Sequence, residues 1–365
     1  MSERLRIAII APPWFAVPPT GYGGIELVVS YLADGLVDRG HEVTLFAAGG
    51  SRTKARLVET FPEPPSKALG DPVFELRHLM QAYSRWEEFD IIHDHTFAGP
   101  AIGACLPVPI VHTLHGPTTE RMAPYIADLA RRGVHLVAIS HHQRSTLPEG
   151  VSATVIHNGV DPAAFPFSAR HGDYLLFCGR INPEKGPVQA VEIARRAGLP
   201  LLMVVKINEP LEEEYWEAEV KPRLRGLEVE VKQQPPTEEK LRAYRDALAT
   251  LFPIQWPEPF GLVMIESMAT GTPVIAFRNG SAPEVIQHGV TGFLCENVEE
   301  AAELVPRVRE LDRRACRQRV ERHFSAALNV LRHEQLYRSI LAGDGRRAAA
   351  RSTLGGLEEL QLPAA

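Results

Sequence analysis

The chain has 365 residues, 45% of them apolar and 23% charged, which excludes a mostly disordered polypeptide and predicts two to three domains. With 39 basic against 45 acidic residues, the net charge of −6 excludes nucleic acid or an anionic lipid surface as a whole-chain partner, leaving peripheral membrane contact at most. The four cysteines (Cys105, Cys178, Cys295 and Cys316) form no close pair, so neither a disulfide framework nor a cysteine-rich zinc site is expected.

Residues 5–11 (LRIAIIA) form a continuous apolar run, as in a strand buried on both faces of a parallel sheet. No signal-peptide pattern precedes it and no membrane-length apolar run follows, so the expectation is a cytoplasmic protein. A Pro/Gly-rich loop leads to Gly24, and residues 25–38 have helical spacing through Val28, Val29, Leu32 and Leu36. After Gly40 comes a second strand at 42–47, which completes a right-handed βαβ unit. Further strands are predicted at 91–93, 110–113, 136–139 and 153–156.

A second series begins near Asp173: a strand at 174–178, a turn at 179–186, a helix at 187–197 and a strand at 201–205. Strands at 228–231, 249–253 and 273–277 then alternate with helices at 237–248 and 262–270. The chain reads as two α/β blocks: an N-terminal domain over 1–166, a C-terminal domain over 172–324, and a linker around Pro166. A helix at 325–341 returns to the first block, and residues 343–365 are predicted to be a disordered tail.

Ligands of doubly wound sheets bind beyond the carboxyl ends of the strands. Gly23 and Gly24 lie in such a loop, where missing side chains allow a sugar or phosphate to approach backbone N–H groups. A helix-entry turn accounts for them equally well. Arg180 and Lys185 flank the second such turn, against the helix-dipole preference for anions; a bound diphosphate would relieve that conflict. The alternative is a surface turn with exposed basic side chains. In the third loop, Glu258 stands between Pro257 and Pro259, and Phe260, Gly261, Leu262 and Val263 open a helix that carries Glu266. Two carboxylates eight positions apart suit the hydroxyls of one elongated ligand. His93, His95, His112, His115, His141 and His142 invite a metal reading, but no acidic partner completes a ligand set, and no metal is expected. Of these, His115, beside Gly116 at a strand end, is the candidate to face a substrate, a histidine bonded to backbone being an equal alternative for it and the expected role of the others. The segment His157-Asn158-Gly159-Val160-Asp161 is expected to shape the approach to the linker.

Taken in order, Gly23-Gly24-Ile25-Glu26, His115-Gly116, residues 157–161, Gly179-Arg180 with Glu184-Lys185-Gly186, Glu258-Pro259-Phe260-Gly261-Leu262 with Glu266, and residues 271–276 and 283–294 resemble the family-four retaining glycosyltransferases of GT-B fold. The likeness runs to about Ile340, and the opening segment is similar to a bacterial subgroup that includes antibiotic-biosynthesis sugar transferases. It implies two Rossmann-like, doubly wound parallel-sheet domains facing a central cleft. It implies transfer of a hexose-type sugar from a nucleotide-diphosphate sugar to an acceptor, which is a carbohydrate, a natural product or a lipid-linked sugar, with no further cofactor and no metal. Arg180 and Lys185 would hold the diphosphate, Glu266 the ribose, and Glu258 the hexose, with backbone N–H groups from Phe260 to Val263 assisting. Gly24 would approach the donor, and His115 would lie near the transferred sugar. Retention by same-face attack and by double displacement both remain open. A nucleotide-sugar-binding protein without transfer activity and a GT-B epimerase are the competing readings. Two segments depart from the family: 204–210, without its usual glycine turn, and 232–236, which lacks a glycine often present there. Both flank the expected base pocket.

Overall fold

The computed structural model describes residues 3–21 and 23–358. Seven parallel strands form the first sheet: β1 (Arg6–Ile10), β2 (Glu42–Ala47), β3 (Arg56–Glu59), β4 (Ile91–Asp94), β5 (Ile110–Leu114), β6 (His135–Ala138) and β7 (Thr154–Val155). Their order is β3-β2-β1-β4-β5-β6-β7. Six strands form the second sheet: β8 (Leu175–Arg180), β9 (Leu201–Lys206), β10 (Val229–Gln233), β11 (Ala249–Phe252), β12 (Val274–Phe277) and β13 (Gly292–Cys295), ordered β10-β9-β8-β11-β12-β13. Every pairing is parallel in both sheets. The chain is therefore two α/β domains of doubly wound topology.

The apolar run of β1 splits by alternation between the two faces of its sheet. Ile7 and Ile9 enter one core with Leu32 and Leu36, whereas Ala8 and Ile10 enter the other with Leu79 and Phe89. Both faces are covered, as a near-continuous apolar strand requires. The second domain has its own core around Phe177, Met203, Leu251 and Phe293. A further cluster joins the domains, with Ile139 and Val160 packed together with Phe260 and Phe324.

In both sheets the strand order reverses beside the first strand: between β1 and β4, and between β8 and β11. Crevices open at the carboxyl ends of strands at such points. The loops after β1, β8 and β11 carry the Gly23 segment, the Arg180–Lys185 turn and Glu258.

The segment 157–161 does more than approach the linker. Val160 donates its N–H to Phe324 O at 3.0 Å and accepts from Ala326 N at 2.8 Å, and so anchors the start of the returning helix. That helix runs from Ala326 to Glu358 and replaces the disordered tail expected after 343; residues 359–365 lie outside the described residues. Val330, Tyr337 and Ile340 pack it into the first domain's core, and Glu334, paired with Arg338 one turn on in the same helix, ties it to Arg39 and His41. Backbone continuation past Gly343 costs helix propensity at each glycine, but Ala348–Ala350 and flanking arginines favour it.

Candidate functional site

The turn after β8 is built against the loop after β11. Asn182 caps the short helical turn Pro183–Lys185, and Gly186 follows with φ 70°. A Cβ there would stand 2.1 Å from Pro253 O, so only glycine lets the two loops close on each other. The N–H of Gln255 donates to Glu184 O at 2.7 Å across the same seam. This contact brings two of the sequence-predicted residues together. Lys185 Nζ donates to Glu258 Oε2 at 2.5 Å and lies 5.2 Å from the Trp256 ring centroid, and Trp256 Nε1 donates to the same carboxylate oxygen at 2.7 Å.

Arg180 ends β8 in register with Lys206 of β9. Its Nε donates to Glu212 Oε1 at 2.6 Å and its Nη2 to Glu209 Oε1 at 3.0 Å. Glu212 is buried and also accepts the N–H groups of Asn208 and Glu209 at 2.9 and 3.2 Å. Burial pushes its carboxyl up, but Asn208 N–H and then Arg180 outweigh that, and the net shift is downward. Both predicted diphosphate cations are thus held by carboxylates.

Glu266 is buried in the helix Leu262–Ala269. Lys240 Nζ stands 3.3 Å from both its carboxylate oxygens, and Tyr244 OH donates to Oε2 at 3.0 Å. The charge of Glu266 is the main cause of the raised Lys240 pKa. No side chain caps the start of this helix at Gly261, which leaves its first N–H groups available to an anion.

Gly24 opens the helix Gly24–Asp38 in the first domain, and a Cβ added to it would lie 3.0 Å from Leu262 Cδ1 in the second. The domains therefore touch across the cleft at two predicted residues. A cavity of about 220 Å³ between them is lined by Gly23, Gly24, Leu262, Val263, Glu266 and Lys240, among others. Phe260 is placed differently. Its side chain is buried and packs on the rings of His157 and Phe324, with centroids 6.1 and 6.0 Å away, so any ligand contact from it is through backbone alone.

His115 lies apart from that lining. Its Nε2 is 2.9 Å from His95 Nδ1. His95 Nε2 is buried without a partner, and an orphaned N–H costs more than an orphaned lone pair. That favours a His95 Nδ1–H donating to His115 Nε2. Burial pushes His115 down to about 3, so it is neutral at pH 7. His93 is buried between Tyr337 OH at 2.6 Å and Thr113 Oγ1 at 2.8 Å, and His112 is bonded to Asp94 O at 3.0 Å; both are core histidines. His141 departs from the sequence reading. It stands with His157 beside Glu284, the acidic partner that local spacing did not reveal.

Sequence reasoning assigned no role to Glu209, Glu212, Lys206, Lys240, Tyr244 or Trp256. Each reaches the site through tertiary neighbours, and only the register Arg180–Lys206 was readable in principle, from two aligned strands. Glu26 appeared only within a motif. It is buried in the first turn of its helix, and burial pushes its carboxyl up to about 7 against the pull of its own backbone N–H and of Lys206 in the opposite domain. Gln234 takes φ 45° and is the only non-glycine residue with positive φ among the described residues. Its Nε2 donates to Asn208 Oδ1 at 2.7 Å, joining the two segments that depart from the family.

Two doubly wound domains facing a cleft, with basic and acidic side chains gathered at its switch points, form the GT-B architecture. Residues 22–164 match the model of Glycosyltransferase Family 4 and residues 166–322 that of Glycosyl transferases group 1. The chain is thus a glycosyltransferase that joins a domain of each kind. It is 26% identical to the glycogen synthase of Mycobacterium tuberculosis, over 93% of this chain and 96% of that protein. AviGT4, a glycosyltransferase involved in avilamycin A biosynthesis, superposes with a TM-score of 0.72 at 28% identity, over 93% of this chain and 98% of that one. An Anabaena protein solved with UDP and glucose has the same fold, with a TM-score of 0.72 at 20% identity, over 92% of this chain and 100% of its own. No helix among the described residues is long and apolar enough to cross a membrane.

Proposed function

We propose that this glycosyltransferase moves a hexose-type sugar from a nucleotide-diphosphate sugar to an acceptor, with retention at the anomeric carbon and without a catalytic metal. The observation that carries the reading is the pairing of Lys185 with Glu258 and the co-lining of one interdomain cavity by Gly24, Lys240 and Glu266. A UDP- and glucose-bound neighbour of the same fold adds support.

In this reading the nucleoside occupies the cavity, with Glu266 accepting from the ribose hydroxyls. The diphosphate lies toward Arg180, Lys185 and the uncapped N–H groups after Gly261. As the anomeric bond breaks, negative charge grows on the departing phosphate oxygen. Fixed cations and a helix N-terminus stabilise that charge without reorganising. Glu258 receives the hexose hydroxyls, and His115, neutral and oriented by His95, offers a hydrogen bond rather than a charge near the sugar. Contact between Gly24 and Leu262 narrows the cleft and limits hydrolysis.

The test is transfer from a panel of nucleotide sugars with and without candidate acceptors, the anomeric configuration being read by NMR and the assay repeated with a chelator. Retained product, formed equally with chelator and lost in Arg180→Ala and Lys185→Ala, is expected. Equal turnover in both variants would remove the reading.

A further inference from the structure

The motif around His157 and the paired histidines at 141–142 take no part in the chemistry above. His157 Nε2 lies 3.0 Å from Glu284 Oε2. His141 closes the group: its ring centroid is 5.5 Å from that of His157, and one ligand atom from each of the three side chains falls within 4.8 Å of the others. His141 and His157 belong to the first domain and Glu284 to the second.

All three stand on pinned supports. Ser140 caps the turn that carries His141, accepting from Gln143 N at 2.9 Å, and the Gln143 amide donates to Leu114 O and Gly116 O at 2.9 and 2.8 Å. The carboxylate of Glu284 accepts the backbone N–H groups of His141 and His142 at 2.8 and 2.6 Å, and Arg319 donates to the Glu284 carbonyl at 2.7 Å. The His157 ring is wedged against Phe260 and Phe324. Second contacts of this kind orient ligands before an ion arrives.

We propose that His141, His157 and Glu284 form a binding site for a zinc-class transition metal that ties the two domains together. Two imidazoles and one carboxylate are a set that zinc accepts, with a fourth position left to water. Tetrahedral bonds of about 2.0–2.1 Å place ligand atoms about 3.3 Å apart. The His157–Glu284 pair is already there, and the exposed His141 ring has room to swing the remaining distance. Glu284 is also coupled to the proposed donor loop, because the N–H of Ser281, three residues earlier, donates to Glu258 O at 3.0 Å.

The experiment is calorimetric titration of the full chain with zinc chloride, and cobalt substitution read by visible absorption. Wild type should bind one equivalent, and its cobalt spectrum should show bound nitrogen and oxygen ligands at low coordination number. His141→Ala, at an exposed position that the fold does not need, should lose affinity at least about tenfold. Glu284→Gln should lose it as well, and Cys105→Ser, which removes the exposed thiol elsewhere, should bind like wild type. Unchanged zinc affinity in His141→Ala, absence of binding by wild type, or loss of binding in Cys105→Ser would overturn the proposal. None of these outcomes depends on glycosyl transfer.

Discussion

Glu258→Gln separates the role that the structure gives this carboxylate, holding Lys185, from the proposed one, orienting the hexose. Oε2 accepts from Lys185 at 2.5 Å and from Trp256 at 2.7 Å, and the Lys185 and Glu258 side chains are 22% and 13% exposed. A diphosphate that recruits Lys185 must first break this pair. A charge-assisted hydrogen bond contributes about 1.5–3 kcal/mol when sheltered, and an exposed ion pair less than about 1. The partial exposure here places the pair between them, at about 1–2 kcal/mol. Glutamine keeps the shape and still accepts from Trp256, but it removes the charge that competes for the lysine. Free nucleoside diphosphate should therefore bind the variant about 5–30-fold tighter. Transfer should fall about a hundredfold, because the hexose loses its orienting carboxylate. Calorimetry with nucleoside diphosphates and steady-state transfer on the same preparation give both numbers. Diphosphate affinity that is unchanged or weaker in Glu258→Gln would refute the idea that Glu258 stands in for phosphate on Lys185.

Arg180→Ala should weaken nucleoside diphosphate binding by more than about tenfold, whereas Glu212→Gln, which leaves the guanidinium in place but loosens it, should raise the donor KM with a smaller loss of kcat; steady-state kinetics separates the two. Lys240→Met leaves the buried Glu266 with Tyr244 alone and should destabilise the fold by about 3 kcal/mol in urea unfolding, with a matching loss of nucleoside affinity. Glu334 is pushed up by burial but pulled further down by Arg338, Arg39 and His41, to about 2 from 4.5. Because the folded-state value is the lower one, its contribution is whole above about pH 5 and is lost as pH falls through 4 toward 2. Glu334→Gln should cost up to about 3 kcal/mol at pH 7 and flatten the acid limb of stability, measured by urea unfolding at several pH values.

The sequence made most of the frame legible because buried parallel strands are apolar runs. The helix Pro187–Ala197 and the starts of the helices at Thr237 and Leu262 fell where proline, glycine and periodicity put them. The edge strand Arg56–Glu59 did not, since only its middle is half-buried and its sequence, RLVE, has no apolar run. The helix Pro72–Tyr83 went unread although Asp71 caps it and Pro72 opens it, because its exposed Val73, Leu76 and Met80 blur the apolar stripe. For the site, the residues that follow strand ends were readable from motif and topology. Their partners were not: Glu212 lies 32 positions from Arg180, Lys240 26 from Glu266, and Glu284 127 from His157. Gln234 shows why a missing glycine is a poor guide by itself. A side chain in the left-handed region costs about 1–2 kcal/mol, and its bond to Asn208 offsets part of that.

The placement of Arg180 and Lys185 remains the more telling conflict between local rules and the fold. Cations before the helix Pro187–Ala197 oppose its dipole, and the local sequence offers only the exposed Glu184 against them. The fold supplies the relief from two directions: Glu209 and Glu212 on a segment after β9, and Glu258 on the loop after β11. These carboxylates keep the cations extended and oriented at a modest electrostatic cost, since opposite charges a hydrogen bond apart largely cancel each other. A ligand that carries two or more negative charges on adjacent phosphates competes with them well; a neutral sugar or a single carboxylate does not. Under the proposed function the acidic partners act as a threshold: they hold the cations in place until an anion with charge enough displaces them. That is the selectivity a transferase needs if it is to bind a charged donor in preference to the free sugar.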